Sequence, residues 1–329
     1  MILPADIFQS KSLGYFSSFG RNNPDKTFLI IQQKGKGRGL FSLMSSVLCW
    51  LDLADKYNFI PVIDFENFET EYNERADVNG IRNAFEYYFK PVSLFKLNEV
   101  YSSERVIITG TGYPSAYSYS ITNEPSLKTI FNKYIGIHDD IVADAALEKI
   151  ANTGDKVLGV HFRGQEFRKA RGHWLPPSNL QIVKSIESIL DRWGGGQIFV
   201  CTEDLTYLEF LEKKFPGIVI SHNHFRTRGD NAYKQSPRKQ HKYLLGREVL
   251  VDMLTLSQCT AFIGCTSNVA EMARFVNGDK FEMEIKINNG PNFMRWPFSN
   301  ILWDIKNVLP ASFGGFKFNN STLIFQSKV

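Results

Sequence analysis

Short apolar runs alternate along the chain with longer stretches of helical spacing. In the first half TFLIIQQ (Thr27 to Gln33) is such a run, and the glycine-rich turn KGKGRG follows it. LFSLMSSVLCWLDLADKYN then carries apolar residues at helical intervals, and FIPVIDF is the next run. The pattern predicts strand, turn, helix and strand. RVIITG (Arg105 to Gly110) predicts a further strand, TGYPSAYSYS a loop, and the region from about Ser126 to Ala151 a helical segment. Phe65 to Tyr88 is rich in Asn, Glu and aromatics without a strong period, and reads as a surface-facing insertion.

The second half alternates more regularly. KVLGVHFR, QIFVCTE, GIVISH and TAFIGCT predict strands. PPSNLQIVKSIESILDRW predicts a helix behind a proline pair, and DLTYLEFLEKKFP and GREVLVDMLTLSQC predict two more. SNVAEMARFVNG predicts a helix with Ser267 or Asn268 as N-cap and Gly278 beyond its end. After Asn289, NFMRWPFSNILWDIKNVL is expected to form a last helix that packs back onto the first half. Strands alternating with helices imply parallel sheets covered on both faces. The expectation is an α/β chain of two Rossmann-like domains facing a cleft: residues 1–152, 153–289, and a C-terminal helix and tail over 290–329. The small, polar ANTGD marks the boundary between the two domains.

A length of 329 residues suits two domains. The start MILPADIFQSKSLGYF lacks the pattern of a secretion signal, and the longest apolar run, Leu40 to Ala54, is too short to span a bilayer and carries Asp52. The four cysteines are scattered through apolar contexts, which predicts buried reduced thiols and a cytoplasmic location. The net charge of +4 is mild, but seven cations between Arg226 and Arg247 face only Asp230. Such a concentration suits one anionic ligand; a solvated basic loop fits it equally.

Parallel sheets bind ligands at the carboxyl ends of their strands. Four features of the second half fall there: His161, Arg163 and Glu166; Glu203 and Asp204; the basic loop; and Ser267 with Asn268 at a helix start. A helix N-terminus offers N–H groups and a dipole to a phosphate. Arg163 can hold two oxygens of a diphosphate, and the carboxylates of Glu203 and Asp204 accept from ribose or base. Each has a plainer reading: Arg163 as a surface ion pair, His161 as a hydrogen-bonded half-buried histidine, Glu203–Asp204 as a cap with first-turn acids. Asp252, in an apolar helix pattern, either faces solvent or holds a specific donor. The KGKGRG glycines lack dinucleotide-binding spacing, so close approach of another ligand or plain turn geometry accounts for them. No cysteine pair or helical His-x-x-x-His supports a metal. The basic loop lacks the interleaved aromatics of a nucleic-acid platform.

GVHFRGQE, IFVCTED and VDMLTLSQCTAFIGCTSNVAEMA together resemble three blocks of the GDP-fucose-using fucosyltransferases of the GT-B type: the nodulation-factor and core α1,6 enzymes and, more distantly, the protein O-fucosyltransferases. The resemblance implies a GT-B-like fold and an inverting, metal-independent transferase with no cofactor beyond its nucleotide-sugar donor. In it Arg163 binds the β-phosphate, with Glu166 an acidic residue near the donor. His161, Glu203, Asp204, Asp252, Ser267 and Asn268 complete the donor site. Gly37, Gly39, Asp64, Glu66 and Glu71 are candidates for the acceptor side, and one of these carboxylates or Glu166 is the general base. Gly164 stands where the core enzymes have Arg, and Glu203 where they have Asp. The implied partners are a nucleotide sugar and a bacterial surface glycan, with no nucleic acid and at most peripheral membrane contact through a lipid-linked acceptor. Other expectations left standing are a transferase for another nucleotide sugar, a metal-dependent transferase using Glu203 and Asp204, a non-catalytic nucleotide- or carbohydrate-binding protein, and an RNA-binding protein.

Overall fold

Fully apolar tetrapeptides make the centre of the first sheet. The computed structural model describes residues 14–35, 37–114, 125–152, 154–169, 171–229, 231–317 and 321–325, without the side chains of 165, 166 and 321–325. The described residues fall into two compact units, one drawn from Met1–Val142 and Ser236–Arg247, the other from Ala143–Gln235 and Glu248–Val329.

The first unit opens with β1 (Gly14–Ser17) and β2 (Phe28–Ile31). Helix α1 (Leu40–Lys56) follows and buries residues on almost every side, as an apolar helix inside a domain must. Its first turn is held by Tyr72, whose hydroxyl accepts from the Leu40 N–H at 2.7 Å. Next come β3 (Ile60–Ile63), the short α2 (Leu97–Val100), β4 (Val106–Thr109), α3 (Pro125–Tyr134) and α4 (Asp139–Asp144). The sheet order is β1-β4-β2-β3; β2 is parallel to β3 and β4, and β1 runs antiparallel at the edge.

The second unit contains β5 (Val157–His161), α5 (Asn179–Trp193), β6 (Gln197–Cys201), α6 (Leu205–Lys214) and β7 (Val219–Ile220). Helix α7 (His241–Leu256) begins in the first unit and ends in the second. It is followed by β8 (Ala261–Cys265), α8 (Asn268–Asn277), β9 (Met283–Ile287), α9 (Phe298–Val308) and β10 (Ser321–Phe325). The order is β10-β9-β8-β5-β6-β7, parallel throughout except for β10. Its core joins Leu158, Val160, Ile198 and Ile263 of the central strands to Ile182, Ile186 and Ile189 of α5. That helix begins at a Ser178–Gln181 capping box and stops at Gly194, whose φ of 74° is the left-handed conformation of a helix end.

The run predicted for Gly217–His222 is a strand only at Val219–Ile220, because this edge pairs with β6 alone. The apolar-run criterion does not find β9, whose side chains alternate buried and half-buried. In α9 the buried Trp303 packs with Leu175 and Phe316. All four cysteines are buried and none is in a disulfide, as their contexts predict. Among the described residues no helix is long and apolar enough to cross a membrane.

Candidate functional site

In the second unit the chain order reverses at β5: β6 and β7 lie to one side and β8 and β9 to the other. The loops leaving the two central strands diverge at such a point, and ligands of doubly wound sheets bind outside it. β5 ends at His161 and β8 at Cys265, so His161, Arg163 and Ser267 all fall at this switch point.

His161 is buried, with Nδ1 3.3 Å from the Ser267 hydroxyl. Ser267 caps α8, its Oγ accepting from the Ala270 N–H at 3.1 Å. One hydroxyl thus ties the end of β5 to the first turn of α8. Burial first, then the charges of Arg163 and Arg274, push the imidazole down to about 3, so it is neutral at physiological pH. Asn268, first residue of α8, is exposed. One position before the cap, the Thr266 Oγ1 is buried with no hydrogen-bond partner. A buried hydroxyl without a partner costs free energy. Thr266 is therefore a candidate ligand contact that the sequence reading missed, its only signal being its place beside the cap.

Arg163 is half-buried, and its guanidinium lies 3.4 Å from the centroid of the Phe167 ring, stacked and so held in place. Its charge depresses His161 and, after burial, His173. The Glu203 carboxyl is pushed up by burial, while Arg163 and the Gly164 N–H pull it down and Asp204 raises it further. A Cβ at Gly164 would lie 3.4 Å from Glu203 Oε1, an ordinary contact, so Gly164 packs directly against the Glu203 side chain. Glu166 stands in the 3-10 turn Gln165–Arg168; its side chain lies outside the described residues.

Asp204 has a different place from its neighbour. It is buried as the N-cap of α6, with Oδ1 accepting from the Tyr207 N–H at 3.2 Å. Asp252, also buried, has Oδ1 2.9 Å from His224 Nδ1, and its charge helps to raise the Cys201 thiol after burial. His222 stacks on His224 with centroids 4.9 Å apart, so Asp252 faces a histidine pair.

In the basic segment, four of the seven cations are engaged by protein groups. Arg226 donates to the carbonyls of Thr202, His224 and His222 at 3.2, 3.1 and 2.9 Å, and so staples its own loop. Arg228 forms a two-point ion pair with Glu209, Arg238 donates to His241, and Arg247 pairs with Asp140. Arg168 likewise serves the fold, its guanidinium 3.3 Å from the centroid of the Trp303 ring with Nη1 3.6 Å from Asp304.

In the first unit, Gly37 (φ 86°) donates its N–H to Glu71 Oε1 at 2.5 Å, and Gly39 is the extended N-cap of α1. Asp64 is buried, accepting from the N–H groups of Glu66 and Asn67, the Asn67 amide and the Tyr101 hydroxyl. Glu66 is exposed, 3.9 Å from Arg82.

No protein-family model matches the chain, and no curated protein sequence matches it. Among solved structures, the NodZ alpha-1,6-fucosyltransferase soaked with GDP-fucose is similar at 17% identity and a TM-score of 0.53, over 80% of this chain and 95% of that one. The fucosyltransferase NodZ from Bradyrhizobium gives 16% identity and a TM-score of 0.51, over 81% of this chain and 99% of that one. POFUT1 in complex with GDP-fucose gives 13% and a TM-score of 0.35, over 78% and 72%, too low to carry an argument. The α/β fold with parallel sheets expected from the sequence is thus the fold of the NodZ fucosyltransferase structures.

Proposed function

We propose that the protein is a glycosyltransferase that moves fucose from GDP-fucose, with inversion and without a metal, onto a hydroxyl of a bacterial surface glycan. The observation that carries this reading is the meeting, at one switch point, of neutral His161, the Arg163 guanidinium and the capped start of α8 with the unpartnered Thr266 hydroxyl. A planar cation beside a helix N-terminus suits a diphosphate. The shared fold of NodZ, soaked with GDP-fucose, supports the choice of donor.

In the proposed step an acceptor hydroxyl attacks the anomeric carbon on the face opposite the diphosphate. The new C–O bond forms as the bond to the β-phosphate oxygen breaks, GDP leaves with the electron pair, and the hydroxyl proton passes to a carboxylate. Arg163 and the α8 dipole stabilise the charge gathering on the leaving group. In this reading Glu203 accepts from ribose or base beside the α6 cap residue Asp204, and Asp252, in contact with His224, reaches the guanine or a supporting residue. For the base, Glu166 and Glu66 are the stronger candidates, since Asp64 is engaged by its own turn and Glu71 by Gly37. We place the reaction in the cytoplasm, with peripheral membrane contact only through a lipid-linked acceptor.

Thermal unfolding with GDP, UDP and CMP tests the donor class. GDP at about a hundred times its Kd is expected to stabilise the protein by about 2.7 kcal/mol, with or without a chelator. Equal shifts for all three nucleotides would remove GDP as donor; a GDP shift without GDP release from GDP-fucose, whatever the acceptor, would leave a binding protein.

A further inference from the structure

A cavity of about 820 Å³ opens in the first unit, walled by the end of β3, the turn after it, the 80–86 segment and the 91–101 segment. Ligand cavities commonly span roughly 300–1,000 Å³ and combine apolar walls with a few fixed polar groups. Here Ile63, Phe85 and Phe95 supply apolar faces, and Glu66, Arg82 and Glu86 supply planar groups of a kind that can each engage two adjacent hydroxyls. The formal charges of the lining side chains cancel, Glu66 and Glu86 against Arg82 and Lys96, and Asp77 just outside the lining lies 3.5 Å from Arg82, so the wall does not favour an anion.

The polar groups are held from behind. The Asn83 amide donates to the Ile63 carbonyl at 2.7 Å and to Glu86 Oε1 at 3.0 Å, and its oxygen accepts from the Phe65 N–H at 3.1 Å. One buried side chain therefore fixes both the end of β3 and the Glu86 carboxylate. Asp64 fixes the turn presenting Glu66 and is itself held by the Tyr101 hydroxyl at 2.7 Å. Burial raises the half-buried Glu86 carboxyl, the Asn83 amide lowers it, and nearby Glu66 raises it again. Away from bulk water, hydrogen bonds to such a group are strengthened.

A pyranose ring has the matching surface: a face of C–H groups and a rim of neighbouring hydroxyls. We infer that this cavity binds a neutral pyranoside, with its hydroxyls on Glu66, Arg82 and Glu86 and its C–H face on the aromatic wall. That the bound sugar is the acceptor rests on the transferase reading; that the cavity holds a sugar does not.

Saturation-transfer NMR on the full chain, with methyl β-galactopyranoside and cellobiose as probes and glucuronate as the charged control, tests the site. Saturation is expected at the ring protons of the neutral sugars and not of glucuronate. Arg82→Ala and Glu86→Gln should each weaken binding about tenfold, or about 1.4 kcal/mol. Arg82 is exposed, so its variant keeps the test sound if Glu86→Gln unfolds. The GDP thermal shift of the same samples separates the two readings. Wild-type protein that shifts with GDP but takes up neither neutral sugar overturns the cavity assignment and spares the donor. Unchanged sugar affinity in both variants overturns it as well. Sugar binding lost in the variants, with or without a GDP shift, upholds it.

Discussion

In the unfolded chain His161 takes up a proton near its ordinary value of 6.5, whereas burial and the charges of Arg163 and Arg274 hold the folded imidazole down at about 3. Between those values the unfolded state binds the extra proton, so stability falls with falling pH by up to about 1.4 kcal/mol per pH unit. Above 6.5 neither state is protonated and this contribution is fully present. His161→Asn should therefore flatten the plot of urea midpoint against pH in that window; a variant keeping the wild-type slope would place the acid sensitivity elsewhere. Arg163→Ala should lower turnover on the order of a hundredfold or more while barely changing the melting temperature. Lys should rescue it poorly, being a point charge without the planar fork, and near-normal turnover of the Ala variant would remove Arg163 from the mechanism. Arg163, His161 and Ser267 were legible because strand ends of a parallel sheet gather on one rim and a serine before a helical run reads as a cap. Thr266 and Glu86 were not: a missing partner exists only after packing, and Glu86 lies in the stretch from Phe65 to Tyr88 that has no period.

A glycine inside a helix costs about 1 kcal/mol relative to alanine, so on propensity alone Gly246→Ala would stabilise α7. Packing opposes this. A Cβ there would overlap the Tyr88 hydroxyl and come to 2.8 Å from Tyr72 Cδ1. Tyr88 cannot easily yield, because its hydroxyl donates to the Tyr243 carbonyl at 3.0 Å and its ring stacks on that of Tyr243. The overlap should win, lowering stability by about 1–3 kcal/mol in denaturant titrations; a more stable variant would mean that the Tyr88–Tyr243 contact opens readily. Helices and central strands follow from periodicity because their apolar side chains face one environment. Strand β9, paired on both sides, escapes the same criterion because its two faces differ. The cations of the basic segment were visible, but their carbonyl and carboxylate partners, such as the three carbonyls around Arg226, come from folding.

At the scale of the whole chain, alternating strands and helices were enough to read the α/β class and its parallel sheets. Which unit a segment joins was harder to read: Ser236–Arg247 belongs to the first unit although it comes long after the chain has left it. Its glycine-for-tyrosine fit at Gly246 is a steric match that hydropathy does not encode. In the second unit, Arg168 and Trp303 connect the loop after β5 to α9, and the buried indole donates to the Pro176 carbonyl at 3.0 Å. A guanidinium against an indole alters its emission, and Arg168 follows Arg163 by little more than one turn of chain. GDP titration should therefore change the intrinsic fluorescence, and Trp303→Phe should abolish most of that change although four other tryptophans remain. An undiminished signal in that variant would assign the change to another tryptophan, such as Trp174 in the same loop, and remove Trp303 as its reporter. If that change is lost in the variant, Trp303 serves as an optical gauge, readable without a label, of the loop that carries Arg168.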